Sequence, residues 1–296
     1  MKTFEQLEYV NSRGESIVFG VGSKYHVNVI RDVTGQSDIN DTIYSTNSME
    51  QHGDTLVGVR FEPRLIDVNG KIREEDREAQ LKYRQDALKI LNPELSGTLT
   101  YRYGNFSRVI GAKVDGTPAF SHPDRFEVFD ITFKCLSPFW EEEEIKREEV
   151  ASWLADWIFP TVIDKDDPES MIYGHREMSI IVDVYNAGHV SSGMKIVFKA
   201  LGDLTNPQLF NVNTREFMKV NYSMRAGDEI TINTEYGSKS IKLLRDGIET
   251  NIYRYMDVDS TFMALDIGDN LFRYDADTGL DNLEVVVYYA PHYLGV

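Results

Sequence analysis

The residue types that usually perform chemistry are present in this chain, but their spacing matches no familiar catalytic motif. The sequence has no G-x-G-x-x-G, Walker A, H-E-x-x-H, G-x-S-x-G or C-x-x-C pattern, so nucleotide, zinc-protease, hydrolase and dithiol centres are not indicated. The histidines also lack the spacing of metal ligands; they are His26, His52, His122, His175, His189 and His292. We therefore predict no catalytic residue, no metal site and no cofactor.

The single cysteine, Cys135, ends a run in which apolar and polar residues alternate. Successive side chains of a strand point to opposite faces, so Cys135 shares a face with Ile131 and Phe133. This pattern predicts a buried cysteine that serves as a small hydrophobic residue, and the alternative is a nucleophile. One cysteine also excludes a disulfide framework within the chain.

Acidic side chains are the remaining candidates for chemistry, and they exceed basic ones by 48 to 31, for a net charge of −17. The segment 275–281 comes nearest to a calcium loop. It has Gly279 and Leu280 where an EF-hand needs an oxygen ligand and a glycine, so a tight turn is favoured. Carboxylate pairs are too frequent for a glycosidase pair to be identified by spacing. The negative charge disfavours nucleic-acid binding, which needs clusters of Lys and Arg.

The elements that must position these residues are mostly strands. Short runs rich in Val, Ile, Thr and aromatic residues are separated by Gly, Asn and Asp, a pattern typical of strands and turns. One amphipathic helix is predicted from about Glu74 to Leu91, with an acidic first turn and a proline just beyond its end. Asn69-Gly70 predicts a hairpin turn. The predicted fold class is mainly β, with a sandwich-like N-terminal sheet, one packed α-helix and a C-terminal sandwich or jelly roll.

The length of 296 residues and the distribution of charge indicate two domains. We predict an N-terminal domain at 1–140, an acidic linker at 141–169 and a C-terminal domain at 170–296. The linker holds 11 acidic and 3 basic residues, and a short helix from Arg147 to Trp157 is expected in it. No apolar run approaches the roughly 20 residues of a membrane span, and the N-terminus lacks a secretory signal. We therefore expect synthesis in a reducing cytoplasm and no membrane insertion.

Two groups of residues are candidates for contacts with other subunits. The polar stretch from Gly35 to Asp54 is too long for an ordinary connection, which predicts an interface arm. Its apolar members are Ile39, Ile43, Tyr44 and Met49. Trp153 and Trp157 stand four positions apart on the expected linker helix. They would either hold that helix on one domain or insert into a neighbouring subunit.

The N-terminal domain resembles that of the siphophage distal tail protein family. The resemblance covers residues from about 15 to 140 and rests on three motifs in order. They are the strand Val57-Gly58-Val59-Arg60-Phe61, the helix end Leu88-Lys89-Ile90-Leu91-Asn92-Pro93 followed by Gly97-Thr98-Leu99-Thr100-Tyr101, and the closing run Phe129-Asp130-Ile131-Thr132-Phe133-Lys134-Cys135-Leu136-Ser137-Pro138-Phe139-Trp140.

The C-terminal domain is similar to the galectin-like sandwich of the same family. Its order of motifs carries the match: Asn186-Ala187-Gly188, Asn206-Pro207, Asn211-Val212-Asn213-Thr214, Ala226-Gly227-Asp228-Glu229-Ile230-Thr231-Ile232, Asp266-Ile267-Gly268-Asp269-Asn270 and Tyr293-Leu294-Gly295-Val296. The chain departs from the family pattern in two places, and both concern the interface between the subunits of the ring that the resemblance implies. The early loop lacks the family's glycine-rich Arg-Asp-Gly type of stretch, and the linker is longer and more acidic.

The resemblance implies a structural hub at the distal end of a phage tail. Six copies would form a ring whose N-terminal domains contact the tail tube protein on one side and a tail-associated lysin or fibre protein on the other. The C-terminal domains would carry receptor-binding proteins or bind cell-surface glycans. Such a protein is a virion component made in the bacterial host and is not an enzyme. The alternatives are a carbohydrate-binding module and a sandwich-type glycoside hydrolase or esterase, which needs two carboxylates about 5–9 Å apart in a cleft.

Overall fold

The computed structural model describes residues 4–49, 52–123, 125–151, 153–155, 174–176 and 181–296. The chain forms two compact units, one from residues 1–143 with 292–296 and the other from 144–291. The predicted C-terminal domain at 170–296 differs from this division at its end, because His292 and Tyr293 pair with a strand of the first unit. Its predicted start also differs, since a strand of the second unit begins at Lys146, inside the expected linker.

About half of the residues of the first unit lie in strands, as the alternating apolar pattern predicts. Its elements are β1 Gln6–Asn11, β2 Ser16–Gly20, β3 Tyr25–His26, α1 Val29–Asp32, β4 Val33–Thr34, β5 Asp41–Thr46, β6 Thr55–Phe61, β7 Arg64–Ile72, α2 Arg77–Ile90, β8 Ser96–Tyr103, β9 Phe106–Val114, β10 Ala119–Ser121, β11 Glu127–Cys135, β12 Trp140–Glu141 and, after the second unit, a two-residue strand His292–Tyr293.

The main sheet of the first unit closes on itself. Its hydrogen-bonded order runs β11-β7-β3-β2-β1-β8-β9, and β9 pairs back with β11 through Phe133 and Val114. Closure removes the open edges that a flat sheet would expose. The predicted mainly β fold with one packed helix is confirmed, and the sandwich-like sheet takes the form of this closed sheet around an aromatic core.

Helix α2 is fixed by its cap and by a buried carboxylate. Asp76 accepts a hydrogen bond from the Ala79 amide at 2.9 Å, which satisfies one free donor of the first turn. Glu127 of β11 is almost fully buried and pairs with Arg77 at 3.3 Å and Arg84 at 3.1 Å. Both arginines lie on the helix, so this carboxylate ties α2 to the sheet.

The second unit is a sandwich of a six-stranded and a four-stranded sheet around one apolar core. Its elements are β13 Lys146–Ala151, β14 Trp153–Ala155, β15 Gly174–Arg176, β16 Ile181–Asn186, β17 Met194–Ala200, β18 Leu204–Thr205, β19 Gln208–Asn211, β20 Phe217–Lys219, β21 Ser223–Met224, β22 Glu229–Asn233, β23 Ser240–Arg245, β24 Ile248–Asn251, β25 Gly268–Asp275, β26 Leu283–Tyr289 and the 3-10 turns Tyr253–Tyr255 and Leu280–Asn282. The strand order is β13-β26-β17-β22-β23-β24 in the six-stranded sheet and β16-β25-β19-β20 in the four-stranded sheet.

The helix expected from Arg147 to Trp157 is wrong. Residues 146–151 form β13, which pairs antiparallel with β26, and residues 153–155 form β14. Strand β26 is the apolar run Leu283–Tyr289, and it pairs with β17 on one side and with β13 on the other. Pairing with this distant strand outweighs the local helix propensity of a Glu- and Lys-rich segment. No helix in the described ranges has the length and apolarity that crossing a bilayer would require.

Candidate interaction site: a β-hairpin arm and the clamp at its root

Strands β5 and β6 form a two-stranded sheet of their own, and among the described strands they are hydrogen-bonded only to each other. We call this hairpin the arm. An isolated hairpin is marginally stable in water and depends on an additional surface to pack against. The stretch from Gly35 to Asp54 therefore contains a strand rather than only a loop, and its predicted role as an arm remains a prediction.

One face of the arm is apolar and uncovered. The strand register pairs Ile43 with Val59 and, beyond a bulge next to Tyr44, Ser45 with Leu56. Cross-strand partners share a face, so Ile43, Val59 and Leu56 lie together, and we call these three residues the apolar face of the arm. Their exposed fractions are 63%, 51% and 63%. Exposed aliphatic side chains grouped on one surface are typical of sites of protein contact.

The opposite face of the arm is polar. Thr42 and Arg60 face each other there, and Glu62 follows in the same alternation. The Thr42 hydroxyl donates to Glu62 at 2.9 Å, and Arg60 approaches the same carboxylate at 3.9 Å. The arm is thus amphipathic, with a hydrated face and an apolar face that has no cover within the described chain.

The predicted interface residues lie in different environments in the structure. Ile43 lies on the apolar face of the arm, Tyr44 is exposed on the polar face, and Met49 is fully exposed between the strands. Ile39 is half-buried just before β5. For the two tryptophans, Trp153 lies in β14 with its side chain outside the described part, and Trp157 lies outside the described residues. The sequence reasoning missed Leu56 and Val59, because they belong to a run that indicates only a strand.

The root of the arm is held by one buried arginine, Arg64, which is only 2% exposed. All three guanidinium nitrogens donate to backbone carbonyls, and among the described residues Arg64 forms no ion pair. The acceptors are Pro138 at 2.8 Å, Gly35 at 2.8 Å, Gln36 at 3.0 Å, Asp38 at 3.1 Å and Leu294 at 2.5 Å. We call Arg64 and these five carbonyls the clamp. It joins the segment before β5 to two other parts of the chain.

Two further contacts fix the same segment. The indole nitrogen of fully buried Trp140 donates to the Gln36 carbonyl at 2.9 Å. Gly35 has φ of +80°, and a β-carbon there would lie 1.8 Å from the Leu65 carbonyl oxygen, so only glycine fits. The chain therefore enters the arm through a turn in which the carbonyls of Gly35, Gln36 and Asp38 accept hydrogen bonds from Arg64.

Residues 292–296, here called the return segment, complete the clamp. Besides the Leu294 carbonyl, the Val296 carbonyl accepts from the Ser37 hydroxyl at 2.7 Å. Gly295 packs so closely that a β-carbon would lie 2.9 Å from the Ser37 α-carbon. The return segment itself is held by pairing with β12 and by a 2.6 Å hydrogen bond from the Tyr293 hydroxyl to Glu142.

Burial dominates the electrostatics around the clamp. Burial lowers the pKa of Arg64, but an arginine keeps its charge at any pH at which proteins are folded. The adjacent Cys135 pairs with Arg64 across β11 and β7, and burial raises the pKa of its thiol to about 12 although the guanidinium opposes this. The prediction that Cys135 is a buried small residue is confirmed.

We expect Cys135 to be inert in the folded protein. With a pKa of about 12, roughly one thiol in ten thousand is ionised at pH 8, and the thiolate is the reactive form. Iodoacetamide at pH 8 should leave the native chain unmodified for hours, whereas the chain in urea should take up one adduct within minutes, as read by mass spectrometry. Rapid modification of the native chain would contradict the burial of this residue.

A groove of about 560 Å³ lies between β2 and α2. It contains two carboxylates, Glu15 and Asp86, and two lysines. Hydrogen bonds from Lys89 and Asn11 lower the pKa of Glu15. This shift is opposite to that of a general acid in glycoside hydrolysis, whose pKa must be raised to hold a proton at neutral pH.

The second unit groups three aromatic rings with one lysine; Tyr236 and Lys239 lie in the turn between β22 and β23, and Tyr253 and Phe262 come later in the chain. Tyr236 is 89% exposed, and the Lys239 ammonium lies 4.8 Å from its ring centre and 5.2 Å from that of Phe262. Phe262 in turn stacks on Tyr253, with centroids 5.8 Å apart and planes inclined by 23°. We call these four residues the aromatic row.

Comparison with protein families finds a match for each unit. The RIFT-related domain of phage tail proteins matches residues 14–135, and the C-terminal domain of siphovirus-type tail components matches residues 187–293. Together the two models match well over half of the 296 residues. Comparison with curated proteins gives no significant match.

Solved structures share the fold along nearly the whole chain. The crystal structure of the Dit protein of phage SPP1, described as a paradigm of the hub adsorption apparatus in phages that infect Gram-positive bacteria, aligns with a TM-score of 0.65, 12% identity, 97% coverage of this chain and 98% of that chain. Two structures of the phage P2 baseplate in its activated conformation align with TM-scores of 0.54 and 0.53 at 13% identity, covering 97–98% of both chains.

Proposed function

We propose, from the premise that this chain belongs to the siphophage distal tail protein family, that six copies form a ring at the hub of the tail tip. Membership of the family makes the chain a structural component of a phage tail. The ring itself, its stoichiometry and the following partners are our proposal. The tail tube protein binds one side of the ring, and a tail-associated lysin or fibre protein binds the other.

The uncovered apolar face of the arm is the observation that carries the ring. In a ring each subunit offers one surface to the next and receives a different one on its other side, and an amphipathic projection suits this head-to-tail arrangement. Burying an aliphatic side chain contributes about 1.5–3 kcal/mol, so the three residues of this face supply a useful part of an interface. The solution mass of the purified full chain tests the proposal, and we expect a value near six chain masses.

The second unit is proposed to carry receptor-binding proteins. The chain would thus reside at the tip of the virion tail after synthesis in the host cytoplasm. A catalytic role is not part of the proposal. The family models matched are those of structural tail components, and the pKa of Glu15 in the groove of the first unit is shifted away from that of a general acid.

Glycan binding by the second unit is a second candidate function, and the aromatic row supports it. Exposed tyrosine rings with a polar tip are typical of surfaces that bind partners at little cost in side-chain entropy. The Lys239 side chain lies beside the rings, within a chain whose net charge is −17. This combination suits a sugar ring that carries an acidic substituent.

We expect Tyr236→Ala to reduce binding of an acidic oligosaccharide at least ten-fold, because the most exposed ring of the row would be lost. Titration of the full chain with purified bacterial wall teichoic acid provides the measurement. Tyr185→Ala is the matched control, since Tyr185 is 58% exposed in β16 of the same unit. Absence of binding by the unmodified chain, or equal binding by both variants, would count against this second function.

A further inference from the structure

We infer that the return segment is a latch for the arm, and that the arm takes its assembly-competent position only when this segment is docked. The inference rests on the proposed function, in which the arm is the ring-forming surface. The observations behind the latch are separate from those behind the ring, because they are the contacts at the root of the arm and not the apolar face.

The latch acts directly on the residues that lead into the arm. Arg64 supports this stretch by donating to the carbonyls of Gly35, Gln36 and Asp38, and its Nη2 donates to the Leu294 carbonyl. Without Leu294, a buried charged donor would lose this partner. Such a group reorients or draws in water, and either response disturbs the carbonyls that it shares.

The return segment also contacts the root without Arg64. The Ser37 hydroxyl donates to the Val296 carbonyl at 2.7 Å, and Gly295 packs against the Ser37 backbone. Ser37 lies between Gln36 and Asp38, two of the clamp acceptors. The return segment therefore contacts Ser37, the middle residue of the stretch, while buried Arg64 binds the carbonyls of Gln36 and Asp38 on either side of it.

The docking of the latch includes one short paired strand. Its paired strand is only two residues long, and Trp140–Tyr293 and Glu141–His292 are its two residue pairs. The Arg108 guanidinium covers the Tyr293 ring at 3.9 Å. Short elements of this kind open more readily than the core of a unit, so the latch can release while the closed sheet stays folded.

The position of the return segment in the sequence has a consequence for assembly. The return segment follows the whole second unit in the sequence, so the arm of a growing or truncated chain cannot yet be fixed. A closed ring needs the same interface in every subunit, and one subunit with a loose arm would prevent closure. The latch thus restricts ring formation to chains that have already made the second unit.

The test measures amide hydrogen exchange of residues 36–42 and 61–64 in the full chain. All variants are made in an Ile43→Asp, Val59→Asp background, where the ring contact is removed and exchange reports the latch alone. Gly295→Val inserts a side chain against Ser37 and should accelerate exchange at the root at least ten-fold. Gly111→Val is the matched control, because a β-carbon at Gly111 of β9 meets nothing within 4 Å.

Ser37→Ala is a milder second variant that removes one hydrogen bond from an exposed residue, and we expect about a three-fold acceleration at the root. Wild-type exchange at the root in both Gly295→Val and Ser37→Ala would overturn the latch. Failure of the ring proposal would look different. The solution mass would then be insensitive to the Ile43 and Val59 substitutions, while the exchange at the root would still depend on Gly295 and Ser37.

Discussion

Replacing Arg64 by methionine is expected to lower the free energy of unfolding of the first unit by about 3–5 kcal/mol. Methionine retains much of the volume of arginine but has no donor. Five backbone carbonyls that now accept hydrogen bonds from the guanidinium would lose that partner, in a place where the original side chain is only 2% exposed. The loss of several buried partners at once explains the size of the effect.

Fluorescence of Trp140 during urea unfolding measures this change. Trp140 is fully buried in the first unit beside the clamp, and replacing Trp153 and Trp157 by Phe leaves it as the single tryptophan reporter. Arg102→Met is the control. Arg102 is 42% exposed and pairs with Glu8 and Glu143, so its loss should cost less than about 1 kcal/mol. Equal losses for the two variants would show that Arg64 has no special role.

The sequence predicts those parts of the fold that depend on local pattern. In β11, Phe129, Ile131, Phe133 and Cys135 are all buried, as the two-residue period requires. Helix α2 ends at Ile90, just before the predicted stop at Asn92-Pro93, because the residue before a proline disfavours the helical conformation. In both cases the signal lies within a few residues of the element that it determines.

The turn predicted at Asn69-Gly70 shows how the same local signal can have another cause. Both residues lie inside β7, paired with Asp130 and Phe129. Gly70 is required by packing, since a β-carbon there would lie 2.5 Å from the Phe129 ring and 2.6 Å from Val27. A glycine needed for close approach and a glycine needed for a turn cannot be distinguished without the contacting residues.

The clamp has no local signal at all. Its acceptors come from the segment 35–38, from Pro138 and from Leu294, which is 230 residues from Arg64. All of them are backbone carbonyls, which every residue type supplies. The arm was predictable only as a long stretch with apolar residues, because exposure of Leu56 and Val59 depends on β6 pairing with β5 and not with the main sheet.

The second large effect concerns the apolar face of the arm. We expect the double substitution Ile43→Asp, Val59→Asp to weaken ring formation strongly, because two facing carboxylates would have to be buried against the next subunit. Roughly a hundred-fold weaker association is expected from the loss of two apolar contacts. Sedimentation velocity at several protein concentrations gives the association constant.

A matched control exists on the other face of the same hairpin. Thr46→Asp, Thr55→Asp also places two carboxylates directly opposite each other, since Thr46 and Thr55 are paired in the register. Any loss of hairpin stability should therefore be similar in the two variants, whereas only the first changes the apolar face. Loss of association in both variants, or in neither, would contradict the assignment of this face as the subunit contact.

The solution mass of the purified full chain tests the central claim most directly. Light scattering coupled to size-exclusion chromatography should give about six times the chain mass of 33.9 kDa, with one symmetric peak that persists on dilution. A mass of one chain at every concentration up to the millimolar range would contradict a ring built from this protein alone.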